Sequence, residues 1–166
     1  MILAKDEKCI LFKKWFLEHM ENNTVPLFIS KAPDFKLTIA AENLLKSQLQ
    51  GNYIYIMYFK KANFDLIPLY VGKTTNLLKR WKGGGGHIEK LKKAANDALE
   101  GTYLNWANRL EKLEGEIFLF CLDEQNVIFS PIPYFPITIG AIEYQLISLA
   151  ADVYPGFLLN KEGVGR

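Results

Sequence analysis

The residues best suited to phosphate chemistry lie around a strongly basic window of the chain. Between Lys73 and Lys93 there are seven Lys or Arg residues and one acid, Glu89, which gives the window a charge of +6. The whole chain has a net charge of only +2, with 13 of its 20 basic and 17 of its 18 acidic residues outside the window. A positive face on an otherwise acidic protein favours a polyanionic partner. The plain alternative is a solvated basic helix.

Two tyrosines before this window and an arginine within it occupy positions that would bring them together. Hydrolysis of a phosphodiester requires a base for the attacking water and a cation for the developing charge. Tyr53 and Tyr70 lie on two successive predicted strands, and Arg80 lies on the helix that follows. A phenol with a pKa near 10 is a poor base unless a neighbouring cation lowers it, and Lys73 is one such neighbour. Tyr55 would share a strand face with Tyr53 and competes with it for this role.

Glu143 is the candidate metal ligand. It is the lone acid among Ile139, Ala141, Ile142 and Tyr144 at the start of a predicted helix. A carboxylate beside a phosphate is repulsive unless a cation lies between them, so its position favours a divalent ion. The alternative is a favourable interaction with the helix dipole.

These residues, taken in order, resemble a known family. Gly51-x-Tyr53, Tyr70-Val71-Gly72-Lys73, Asn76-Leu77-x-x-Arg80, His87, Glu143 and Asn160 resemble the GIY-YIG nuclease superfamily over residues 51–160. The resemblance implies a tyrosine as general base, an arginine that stabilises the pentavalent phosphate, and a helix glutamate that holds one Mg²⁺ or Mn²⁺ ion per active site. These roles would fall on Tyr53 or Tyr70, on Arg80 and on Glu143, with Lys73 and His87 in the same catalytic group.

The sequence departs from the family pattern before His87. A family histidine commonly lies nearer the arginine, whereas here Gly83 to Gly86 intervene. This run predicts a flexible loop that closes on DNA, and a surface histidine is the alternative. The side chains expected to contact DNA are Lys79, Lys82, Lys90, Lys92, Lys93 and Asn160. For Asn160, a turn or cap residue is the alternative.

The expected function is metal-dependent cleavage of double-stranded DNA, as in the short restriction enzymes that this chain resembles. Such an enzyme would cut both strands as a homodimer, because one active site attacks one phosphate. A repair or mobile-element nuclease would share the chemistry. A non-catalytic nucleic-acid-binding module is the alternative from another class.

Several other functions are excluded by the sequence. Gly72-Lys73-Thr74 is no nucleotide-binding phosphate loop, since Ile67 stands where the first glycine is required. The two cysteines and two histidines lack the spacing of a structural zinc site and predict free, buried thiols. The N-terminus becomes charged before any apolar region develops, and no run is long enough to span a bilayer. We therefore expect a cytoplasmic location and no membrane partner.

The elements that must position these residues indicate one α/β (α+β) domain. We predict a small mixed, mainly antiparallel sheet flanked by helices, with residues 1–50 as a helical extension and 51–166 as the nuclease-like domain. Helices are predicted over 5–22, 38–50, 76–81, 87–99 and 139–151, and strands over 52–59, 66–71 and 116–122. Ile10, Leu11, Trp15, Leu17 and His19 form the periodic pattern of the first helix. Sequence recognition or dimer contacts would lie in residues 1–50 and 94–138.

Overall fold

The computed structural model describes residues 2–21, 23–48, 50–62, 65–98 and 100–160. In chain order the elements are helix α1 (Lys5–Met20), strands β1 (Thr24–Pro26), β2 (Phe28–Ser30) and β3 (Lys36–Leu37), helix α2 (Ile39–Ser47), strands β4 (Tyr53–Lys60) and β5 (Leu66–Thr74), helices α3 (Leu77–Trp81), α4 (His87–Asp97) and α5 (Thr102–Lys112), strand β6 (Glu116–Asp123), a 3₁₀ turn (Glu124–Asn126) and helix α6 (Ile139–Val153). The predicted α/β fold class is confirmed.

The main sheet has the strand order β1-β6-β4-β5, and its three pairings are antiparallel. β2 and β3 form a separate two-stranded sheet. The predicted hairpin between β4 and β5 is present, although β5 continues through Gly72 to Thr74 rather than ending at Val71.

Strand β4 lies at the centre of the molecule. It pairs with β5 on one side and β6 on the other, and seven of its eight residues are buried. Tyr53, Tyr55, Met57 and Phe59 face the core layer beneath α3, α4 and α5, while Ile54, Ile56 and Tyr58 face α1 and α6. The aromatic and β-branched composition of residues 52–59 predicts a half-buried strand. This prediction is wrong, because helices cover both faces of the sheet.

The first 50 residues are part of both the sheet and the core. α1 packs against α6 and buries Phe12, Trp15, Phe16 and His19. β1 forms the outer strand of the main sheet by pairing with β6. The segment is thus more than a helical extension.

Other predicted elements differ in their limits. α2 begins after its cap Thr38, as predicted, but ends at Ser47, and α4 ends at Asp97. Strands β1 to β3 and helix α5 were not predicted. Ile142, Leu146, Leu149 and Ala150 of α6 are buried, as the periodicity predicted, and Cys9 and Cys121 are free thiols, of which Cys121 is buried and Cys9 half-buried. Among the described residues, no helix has the length and apolar character needed to cross a membrane.

Adjacent residues of α1 provide a test of this packing. Phe16 is 1% exposed, whereas Leu17, which the sequence pattern placed in the core, is 56% exposed. We expect Phe16→Ala to lower the free energy of unfolding by about 3–5 kcal/mol. The matched variant Leu17→Ala should change it by about 0.5 kcal/mol or less. Urea denaturation measures both, and equal losses would contradict the packing of α1.

Candidate active site

A cleft of about 440 Å³ lies where β5, α3, α5 and α6 meet. Five residues predicted from the sequence line it, namely Tyr70, Lys73, Arg80, Glu143 and Asn160. The remaining lining residues are Thr102, Tyr103, Trp106, Ile147 and Leu159. Residues separated by up to 90 positions in the chain therefore face one space.

Among the described residues, Glu143 is the one acid that lines this cleft. Thr138 caps α6 through Ala141 N, which sets the start of the helix and places Glu143 in its second turn. Its Oε2 lies 3.7 Å from Nζ of Lys73, and its side chain is 22% exposed. Lys73, at the end of β5, is 55% exposed, so this ion pair is open to solvent and contributes little to stability.

One carboxylate can serve a magnesium site if phosphate and water supply the other ligands. No group of three or more His, Cys, Asp or Glu residues able to hold a metal occurs within the part of the chain that the structure describes. Mg²⁺ is commonly held by one or two carboxylates together with substrate phosphates and water. Glu143 fits this mode and does not fit a cage built by the protein alone.

Three tyrosines and a histidine form a hydrogen-bonded chain beside the cleft. The Tyr55 hydroxyl lies 2.8 Å from Nε2 of His87, and Nδ1 of His87 lies 3.0 Å from the Tyr103 hydroxyl. Tyr55 also hydrogen-bonds to Tyr70. The chain Tyr70–Tyr55–His87–Tyr103 thus begins and ends on residues that line the cleft, while Tyr55 and His87 lie buried behind it.

Burial fixes the protonation states within this chain. It strongly raises the pKa of Tyr55, so this phenol stays protonated at neutral pH. It lowers the pKa of His87 to about 3, and the positive charges of Arg80 and Lys90 act in the same direction. A neutral imidazole has one donor and one acceptor nitrogen, so one of its two tyrosine neighbours donates a hydrogen bond to His87 and the other accepts one from it.

The run of four glycines is a compact turn that allows His87 to reach Tyr55. A Cβ on Gly86 would lie 2.8 Å from Lys79 O and 2.9 Å from Arg80 O, and a Cβ on Gly83 would also be within 2.9 Å of Lys79. Glycine is therefore required for the turn to pack against α3. The alternative of a surface histidine is wrong, since His87 is 3% exposed.

The register of the hairpin decides which tyrosine of β4 joins the site. Tyr55 lies opposite Gly72, where any Cβ would overlap the Tyr55 ring. Gly72 therefore gives this ring room to lie 5.9 Å from the Tyr70 ring, between centroids. Tyr53, opposite Thr74, is buried in the core and does not line the cleft. The structure thus places Tyr55, the competing candidate, beside Tyr70 and His87.

Asn160 holds the backbone of β5. Its Oδ1 accepts a hydrogen bond from Val71 N at 2.9 Å, and its Nδ2 donates to Val71 O at 2.7 Å. Leu159 N donates to Leu69 O at 2.6 Å. The segment thereby pairs with the outer edge of β5 on both sides of Tyr70. We assign Asn160 to positioning rather than to the predicted DNA contact, because its amide is committed to Val71.

The lysines predicted to bind DNA are divided between two faces of the protein. Lys82 Nζ lies 2.8 Å from Glu42 Oε1, and Lys92 Nζ lies 3.5 Å from Asp34 Oδ1, beside the β2–β3 hairpin. On the other side of α4, Lys90 Nζ lies 5.4 Å from the centroid of the Tyr103 ring. Lys79 and Lys93 are exposed. The predicted single basic face is corrected, because acids neutralise Lys82 and Lys92 away from the cleft.

Residues of α5 were missed by the sequence analysis. Tyr103 hydrogen-bonds to His87, and the centroid of the Trp106 ring lies 4.6 Å from that of Tyr70. The Trp81 ring of α3 lies 4.8 Å from His87. Neither Tyr103 nor Trp106 belongs to a recognisable motif, and their helix had not been predicted. The amphipathic pattern of residues 102–112 was the one signal that could have found them.

Comparisons of the chain with family models, with curated proteins and with solved structures give no match.

The pKa of His87 gives a prediction about stability and pH. Folding lowers the pKa of His87 from the ordinary value of 6.5 to about 3, because the folded state favours the neutral imidazole. This preference contributes its full share of the free energy of unfolding above pH 6.5. This contribution is lost as the pH falls from about 6.5 towards 3. The difference in free energy of unfolding between wild type and His87→Gln should therefore shrink between pH 7 and pH 4, as measured by urea denaturation. A difference that stays constant over this range would contradict a buried neutral imidazole.

Proposed function

We propose that this chain is a metal-dependent endonuclease that hydrolyses phosphodiester bonds in double-stranded DNA. The observation that carries the proposal is the convergence of Tyr70, Lys73, Arg80 and Glu143 on one cleft. Lys73 and Arg80 are cations that can bind a phosphate, and Tyr70 is a group that can take a proton from the attacking water. The acid has no use in simple phosphate binding, since it would repel the ligand without a cation. The same residues carry the sequence resemblance to GIY-YIG nucleases.

Tyr70 is the general base in this proposal. Unlike Tyr55, it lines the cleft, and after losing its own proton to solvent its phenolate form accepts the proton of the attacking water. If each group of the chain donates towards Tyr70, then Tyr103 donates to Nδ1 of His87, Nε2 donates to Tyr55, and Tyr55 donates to Tyr70. A hydrogen bond from the protonated Tyr55 stabilises the phenolate form of Tyr70 and so increases the fraction of Tyr70 that is ready to accept a proton.

Arg80 and Lys73 supply the positive charge. Arg80 remains charged at any working pH, and its fork of donors matches phosphate oxygens. It stabilises the additional negative charge of the pentavalent transition state. Lys73, already 3.7 Å from Glu143, holds the carboxylate in place before substrate arrives and can then turn to the phosphate.

Glu143 would hold one Mg²⁺ or Mn²⁺ ion per active site. When bound, such an ion polarises the phosphate and offsets the charge that develops on it. The carboxylate is partly buried at the wall of the cleft, on a helix that packs across the core. This rigid support fixes where an ion would lie relative to Arg80 and Tyr70.

Incubation with DNA distinguishes the candidate functions. Pure protein is mixed with plasmid and phage DNA with and without Mg²⁺. Discrete bands indicate a restriction enzyme, which would cut both strands as a homodimer, and smears indicate a nuclease without sequence preference. Retarded but uncut DNA indicates a binding module and contradicts the proposal.

Glu143→Gln tests the metal ligand. The change keeps the shape and removes the charge, so Mg²⁺-dependent cleavage should fall to background. DNA binding in EDTA should be unchanged or tighter, because a negative charge near the phosphates has gone. Plasmid cleavage and fluorescence anisotropy measure the two effects, with matched thermal melts as the control for folding. Cleavage at the wild-type rate would show that the metal site lies elsewhere.

Tyr70→Phe tests the base. Loss of the hydroxyl should lower the cleavage rate by a factor of about 10² to 10⁴, which is the usual contribution of general base catalysis, without weakening DNA binding in EDTA. Tyr58→Phe is the matched control, since it removes a buried hydroxyl from the opposite face of the sheet. Single-turnover cleavage rates give the comparison. Equal rates for the two variants would eliminate Tyr70 as the base.

A further inference from the structure

Two further clefts share lining residues with the active-site cleft. One, of about 250 Å³, shares Thr102 and Tyr103 with it and is also lined by Lys90 and Lys93. We call this cleft the lysine arm. The other, of about 370 Å³, shares Lys73 with the active-site cleft and is also lined by Asn52, Thr74, Thr75, Thr138 and Glu124. We call it the threonine arm. The active-site cleft, with Tyr70, Arg80 and Glu143, shares residues with both arms, and the arms share none with each other, so we treat the three clefts as one groove with the active site between the arms.

The lysine arm is cationic. Among the described residues, neither Lys90 nor Lys93 forms an ion pair, in contrast to Lys82 and Lys92 on the other face of the protein. Lys90 lies against the Tyr103 ring, which holds its ammonium group at the edge of the cleft. Glu100 also lines this arm, so the arm keeps a net charge of +1.

The threonine arm offers mainly neutral groups. Glu124 accepts hydrogen bonds from Asn52 Nδ2 at 2.8 Å and from Ile139 N at 3.4 Å, so the protein already satisfies this acid. Its charge also offsets that of Lys73. Thr75 is exposed and lines this arm. Hydroxyl groups and lysines are both common partners of DNA phosphates, but only the lysines release counterions.

We propose that the backbone of one DNA strand follows this groove, with ionic contacts in the lysine arm and hydroxyl contacts in the threonine arm. This inference rests on the proposed nuclease function and adds the path of the substrate on both sides of the scissile phosphate. The two halves of a cleaved strand are then held differently. The half in the lysine arm is held by salt-sensitive contacts, and the half in the threonine arm by contacts that salt affects little.

The salt dependence of DNA binding separates the two arms. Fluorescence anisotropy in EDTA gives the dissociation constant of a fluorescein-labelled 30-base-pair duplex at several salt concentrations. Two lost phosphate contacts should reduce the slope of log affinity against log salt by about 1.8 in Lys90→Gln/Lys93→Gln. The control Lys82→Gln/Lys92→Gln removes the same charge from the face where Glu42 and Asp34 neutralise it, and its slope should equal that of wild type. Equal reductions of the slope in the two double variants would contradict the proposed path of the strand.

A second pair of measurements covers the threonine arm and avoids reliance on one variant. Thr75→Val should weaken binding without altering the slope, and Thr75→Ser should restore the affinity. In wild type, bound duplex should protect Lys90 and Lys93 from acetylation, detected by mass spectrometry, while Lys82 and Lys92 remain reactive. Protection of all four lysines alike, or of none, would contradict the proposed path.

Failure of this inference is distinguishable from failure of the proposed function. If wild type cuts DNA with Mg²⁺ but the two double variants have equal slopes, the strand path is wrong and the nuclease stands. If the slopes differ as expected but Mg²⁺ produces no cleavage, the groove stands and the proposed function is wrong.

Discussion

The 2.8 Å hydrogen bond between the Tyr55 hydroxyl and Nε2 of His87 joins the central strand to the first residue of α4. Both side chains are buried, so each polar atom needs a partner inside the protein. Gly72 makes room for the Tyr55 ring, and the glycine turn brings His87 to it. The packing of α3 and α4 against the sheet depends on Gly72 and on the glycine turn. The position of Arg80 therefore depends on them too.

The same cluster contains groups whose hydrogen-bonding capacity is not met. Among the described residues, the buried indole nitrogens of Trp81 and Trp106 have no hydrogen-bond partner, and their rings lie 4.8 and 5.3 Å from His87. An unsatisfied buried donor costs about 1–3 kcal/mol. The aromatic cluster is therefore held in place by the surrounding core and contributes less to stability than its buried area would indicate.

Electrostatics links the cluster to the cleft. Arg80 lines the cleft, and its charge contributes to the low pKa of His87. Burial keeps Tyr55 protonated and His87 neutral, so Tyr70 is the member of the tyrosine chain in the cleft that can receive a hydrogen bond from behind. Lys82 and Lys92 are paired with Glu42 and Asp34, whereas Lys90 and Lys93 form no ion pair among the described residues. The difference in charge between these two sides of the protein follows from this packing.

The sequence alone determined the elements with strong local signals: the β4–β5 hairpin, the cap Thr38, the breaks at the glycine run and the apolar face of α6. It also indicated the residues of the cleft, because their order along the chain resembles a motif. Only the tertiary structure decided between Tyr53 and Tyr55, since both share a strand face and the register opposite Gly72 separates them. It also decided the partners of Asn160, Lys82 and Lys92, which lie 40 to 89 positions away in the chain. Such contacts depend on which elements the core brings together, and no local pattern records them.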